Sequence, residues 1–167
     1  MQYLSVSATV SRVKLKEHKF ETRYKKAVNV YIFSCCTGIC CADMMNLNAT
    51  HLEDDADLGL VITNKRQKVS SIYSTPHTRF AKEIYDEFGS LEAIPKITNQ
   101  KVNDYIKIAL PKIAYPDADI ITFHTGRETF INHCLNDLGM PPDDICTKFM
   151  PTQKSRKQGQ LGFSTRN

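Results

Sequence analysis

A histidine and an arginine stand three residues apart in IITFHTGRETFINHCLNDLG, Ile120 to Gly139, where a polar segment gives way to an apolar helical pattern. Side chains at that spacing share one face of a helix, so His124 and Arg127 can act on one ligand. Arginine presents a rigid fork of donors matched to phosphate oxygens, and histidine can hold or pass a proton near neutral pH. The pair points to phosphate chemistry; a helix cap or half-buried histidine is the plainer reading of His124. In the first turn of a helix the positive end of the dipole disfavours an arginine, which argues against a purely structural Arg127. Further cations gather in two places. Lys65, Arg66 and Lys68 form one cluster, and past Asp144 the chain carries Lys148, Lys154, Arg156, Lys157 and Arg166 with no acidic residue. Both groups suit contact with phosphates, and both also suit a solvated surface.

Four of the six cysteines fall in CCTGICC, as Cys35, Cys36, Cys40 and Cys41. Four thiols so close suggest zinc. Adjacent side chains on a helix point about 100° apart, however, and Gly38 interrupts the run, so the sulfurs do not converge into a tetrahedron. They read as small buried thiols, reduced like Cys134 and Cys146. Neither a metal nor any other cofactor is expected, nor a small-molecule substrate.

The elements that must position these groups belong to one domain, since 167 residues bury a single core. No apolar run reaches the ~18 residues of a membrane span, and the first twenty residues lack a secretory block, so a soluble cytoplasmic protein is expected with no membrane partner. Lys and Arg, 22 against 18 Asp and Glu, give a net charge of +4, which permits a polyanionic partner. Residues 1–22 show no period and read as an irregular start. From Arg23 to about Ser34 apolar residues recur at helical spacing, with Gly38 as the stop. CADMMNL reads as a short helix with Asp43 in its first turn. LGLVITNKRQKVSSIYS reads as a hairpin, its tip carrying Lys65 and Arg66 and its second arm starting near Lys68. HTRFAKEIYDEF spaces Phe80, Ile84 and Phe88 four apart before Gly89, and TNQKVNDYIKIAL presents Val102, Tyr105, Ile106 and Ala109 before Pro111. The opening stretch sets Ile131, Cys134, Leu135 and Leu138 on one face, with Phe123 and Phe130 as core. The class is α+β, mostly helical with a small antiparallel sheet.

The serial order of a helix, a TGI turn, a short helix with an acidic residue, a basic hairpin ending in lysine, two helices and then FHTGRETFINHCLNDLG resembles the catalytic domain of tyrosine recombinases, the phage-integrase family. FSCCTGICCADMMNL, NKRQK and NQKVNDYIK are closest to integrases of conjugative transposons. The resemblance spans about residues 23–150, followed by a basic tail over 151–167; the family's separate amino-terminal clamping domain is not expected. It implies duplex DNA as partner and a fold built for metal-free strand cleavage by a tyrosine. By resemblance Lys68 falls at the hairpin lysine, His124 at the first histidine of the pair and Arg127 at the second arginine. Lys65, Arg66, Lys154 and Arg156 would join Lys68 and Arg127 on DNA. The match is incomplete, so a degenerate active site is expected. Cys40 stands where most members carry the first arginine, Pro151 falls at the last histidine, and Asp43 would brace the fold. The seven tyrosines, Tyr3, Tyr24, Tyr31, Tyr73, Tyr85, Tyr105 and Tyr115, all precede His124, leaving none at the nucleophile's place. Ser155, Ser164 and Thr165 lie in a polar tail that would not orient them. DNA binding without strand cleavage is the function expected of such a mobile-element remnant. The alternatives are an interaction protein that accepts the tyrosine helix of an intact recombinase protomer, and a small helical domain with an accidental His-x-x-Arg.

Overall fold

Residues Ala27 to Thr37 are buried without a break, so the helix that carries them, α1 (Thr22–Thr37), is packed on every side rather than along one stripe. It ends at Gly38, whose φ of 68° is the left-handed cap that a side chain would resist, with the Gly38 N–H donating to the Ser34 carbonyl. The computed structural model describes residues 14, 18–56, 59–65, 72–76, 78–115 and 118–149. Most of the segment 1–22 and all of 151–167 therefore lie outside the described residues, as does the hairpin tip 66–71.

After α1 comes α2 (Cys41–Met44), with Asp43 in its first turn, and then a three-stranded antiparallel sheet in the order β1-β2-β3. Its strands are β1 (Leu52–Asp55), β2 (Gly59–Lys65) and β3 (Ile72–Pro76). Leu52 pairs with Ile62 across β1 and β2, and Lys65 with Ile72 across β2 and β3. The expected hairpin is formed by β2 and β3; its second arm is described from Ile72, and the expected start near Lys68 lies outside the described residues. β1 is an addition: LEDD has none of the β-branched enrichment that marks a strand, and pairing with β2 brings it into the sheet.

Three further helices surround α1: α3 (Arg79–Phe88), α4 (Asn99–Ala109) and α5 (Phe123–Asn132). Thr78 and Thr98 cap α3 and α4 by accepting the Ala81 and Lys101 N–H groups. The core between them is built from Phe33, Ile84, Leu91, Ile94, Val102 and Ile106, all fully buried.

Two expected apolar faces are corrected. On α3 the buried residues are Ala81 and Ile84, while Phe80 is 41% exposed. A step of four residues turns a helix by about 400°, so a row at 80, 84 and 88 drifts round the surface instead of staying on the core side. On α5 the helix widens into a π-turn, His133–Asp137, closed by the Leu138 N–H on the His133 carbonyl. The extra residue shifts the phase. Phe130 and Cys134 become the buried pair, Ile131 and Leu135 pack at its edge, and Leu138 is left 59% exposed. With α6 (Pro142–Asp144) and the turn Ile145–Phe149, these residues make a second small core, in which the Phe130 and Phe149 rings meet edge-on at 5.7 Å. Its last turn packs on β3.

Candidate functional site

The start of α5 is set by contacts with two helices. The Phe123 backbone N–H donates to Asn103 Oδ1 of α4 at 2.6 Å, satisfying a donor that the helix itself cannot pair. One residue pair on, Thr125 Oγ1 donates to the Thr122 carbonyl at 2.6 Å and lies 3.2 Å from the Tyr31 hydroxyl of α1. Gly126 lets the two helices close: a Cβ there would meet Ser34 Oγ and a Tyr31 ring carbon at 3.3 Å and Cys35 Sγ at 3.4 Å. Phe123 is the first helical residue, which places Arg127 past the first turn, where the dipole is weak. Contrary to the expectation from the first turn, the dipole imposes no penalty on Arg127 there, and its role rests on its surroundings.

His124 and Arg127 open onto one cleft of about 480 Å³. Cys40 and Cys41, from the α1–α2 turn and the first residue of α2, form a second wall, and Lys96 with Thr98, from the loop before α4, a third. Arg127 is half-buried and forms no ion pair with another described residue. His124 is exposed, its Nε2 3.6 Å from Glu128 Oε1 one turn on. Burial raises the Cys40 thiol above its ordinary range, the Asp43 backbone N–H opposing the shift and the Asp43 carboxylate adding to it, and burial likewise raises Cys41. Both sulfurs are neutral at neutral pH, so neither clamps an anion or attacks as a thiolate.

Asp43 sits behind this wall, buried, and the Tyr73 hydroxyl of β3 donates to its Oδ2 at 3.5 Å. It ties the sheet to α2 and does not line the cleft. Lys65 ends β2 in an exposed position away from the cleft lining. Arg66, Lys68, Pro151, Lys154 and Arg156 lie outside the described residues, as do Ser155, Ser164 and Thr165. No tyrosine lines the cleft among the described residues. Among those residues, too, no three His, Cys, Asp or Glu side chains gather where they could hold a metal ion, and all six cysteines are thiols.

Lys96 and Asn103 carry no signal in the sequence, because their roles depend on partners far along the chain. The Lys96 ammonium donates to the carbonyls of Met44 and Leu47 at 3.4 and 3.5 Å, which bends its loop over the end of α2. Lys96 thereby joins Arg127 as a second cation at the cleft. Chemically the arrangement is suited to an anion: a planar guanidinium, an ammonium and an imidazole line one cleft whose two thiols are not activated as nucleophiles.

The fold is similar to the solved structure of the Tn1549 transposon integrase in complex with circular intermediate DNA, with a TM-score of 0.61 and 12% sequence identity over 99% of this chain. The chain spans 62% of that integrase chain. The α+β architecture read from the serial order of motifs is borne out by this likeness, which is one of fold. No family model matches the sequence, and no curated protein does. No helix among the described residues is long and apolar enough to cross a membrane.

Proposed function

We propose that this chain binds duplex DNA as a tyrosine-recombinase-like domain, a remnant of a mobile-element integrase that does not cut strands on its own. The observation that carries the reading is Arg127, a half-buried guanidinium without an ionic partner among the described residues, facing a cleft it shares with His124 and Lys96. A cation withdrawn from water without a counter-charge is costly, and a phosphate oxygen supplies the missing charge. Lys65, Arg66, Lys68, Lys154 and Arg156 would extend the contact along the backbone, Lys68 and His124 in the places of acid and proton relay. The missing step is attack: this chain has no tyrosine beyond Tyr115, and the expected clamp position holds Cys40, a neutral thiol. A cytoplasmic location goes with this reading.

Fluorescence anisotropy on a labelled duplex tests it. The native chain binds, and Arg127→Ala binds several-fold more weakly with an unchanged melting curve. Equal binding by the two proteins would refute the reading. A second reading, association with an intact recombinase protomer, draws on the same absence of a tyrosine after Tyr115, which such a protomer could supply; co-purification with it in the absence of DNA would favour this reading.

A further inference from the structure

Resting on that reading, we propose that Lys96 is the second cation of the cleft, standing in for the charge that Cys40 does not provide, so that one DNA phosphate is held between the Lys96 ammonium and the Arg127 guanidinium. Both residues line the same cleft, from different elements. Cys40 lies on the wall between α1 and α2, half-buried and uncharged. Lys96 sits at the far end of α2 from Cys40, its head held by the Met44 and Leu47 carbonyls. An ammonium has three donors. Two are engaged at long distances by these carbonyls, which fix the head without neutralising it, and the third is left for an anion.

The charges around Lys96 fit this use. Burial lowers its ammonium below the ordinary lysine range, while Glu92 opposes the shift from the side. Glu92 is itself engaged by the Ala49 N–H, so its carboxylate is held in place there. Of the other acids near the cleft, Glu128 faces His124, and Asp43 is buried behind Cys40 with the Tyr73 hydroxyl on its carboxylate. Lys96 is exposed where Arg127 is half-buried, so it would offer an incoming phosphate chiefly its charge, and Arg127 would gain the counter-charge that burial denies it. A lysine makes a point contact where an arginine would grip two oxygens, so the pair would hold a phosphate without the paired clamp that stabilises a transition state.

The test measures affinity for a labelled mixed-sequence duplex across a salt series, with a melting curve for each variant. Lys96→Met should weaken binding about three- to tenfold at low salt and reduce the slope of log K against log salt by about 0.9, the value of one lost phosphate contact. Lys96→Arg should keep native binding. Cys40→Arg introduced into the Lys96→Met protein should restore affinity and slope, because it returns a cation to the same cleft from the other wall. If Lys96→Met leaves both unchanged while Arg127→Ala lowers them, the role of Lys96 is refuted and the DNA-binding reading stands. If neither substitution has an effect, both fall. If Lys96→Met weakens binding but Lys96→Arg does so equally and Cys40→Arg rescues nothing, Lys96 only shapes the loop, and the proposal is overturned.

Discussion

At the scale of single residues the cleft is a balance of a few charges. Glu128 lies 3.6 Å from His124 at an exposed position, where a carboxylate repels any phosphate bound nearby. Exposed pairs are worth about 1 kcal/mol or less, so Glu128→Gln should tighten DNA binding by a few-fold and no more, with most of the gain at low salt. Unchanged affinity at low salt would mean that His124 lies off the DNA face. Away from the cleft, burial pushes the Cys134 thiol from its ordinary 9.0 up to about 11. The folded state keeps that proton longer than the unfolded chain does, so its contribution to stability is complete below pH 9 and is lost as pH rises towards about 11. Urea midpoints for the native chain should fall over that range, and Cys134→Ala, less stable throughout, should show a shallower fall. Parallel profiles for the two proteins would contradict the assignment.

At the scale of elements the decisive contact is α5 on α1. An alanine at 126 gains about 1 kcal/mol of helix propensity, while its Cβ meets Ser34, Tyr31 and Cys35 at 3.3–3.4 Å on a helix buried all round. Overpacking typically costs about 1–3 kcal/mol, so Gly126→Ala should destabilise by up to about 2 kcal/mol and lower the melting temperature by several degrees. A rise in melting temperature would show that α1 yields. Asn103→Ala strands the Phe123 N–H and should cost about 1–2 kcal/mol while weakening DNA binding through the displaced start of α5; full affinity in a folded variant would uncouple that anchor from Arg127. These two positions also mark where the sequence stops being legible. Gly38 and Gly89 end their helices as their neighbours predict, because a left-handed cap is a local requirement. The hairpin announced itself through β-branched arms. Asn103 and Lys96 depend on partners twenty or more residues away and the π-turn after Asn132 on a shift of helical phase, while β1 is a strand only through its pairing with β2 and carries no β-branched signal of its own. His124 and Arg127 were visible through their spacing; their company in the cleft was not.

For the whole molecule the proposal is that a recombinase-like fold binds phosphates without the means to cut beside them. Loss of one transition-state donor costs on the order of 10²–10³ in rate, and Cys40 occupies that donor's place by resemblance. On a nicked duplex that traps covalent intermediates, the chain alone should give no denaturation-resistant adduct; such a band, persisting after Ser155, Ser164 and Thr165 are changed to alanine, would require a nucleophile this account does not contain. The most direct measurement is the salt dependence of duplex binding for the native chain and Arg127→Ala. The native line should fall steeply with salt, and the Arg127→Ala line should lie below it with a slope shallower by about 0.9, the signature of one phosphate released. Two superimposed lines, or binding indifferent to salt, would contradict the claim that this cleft holds DNA.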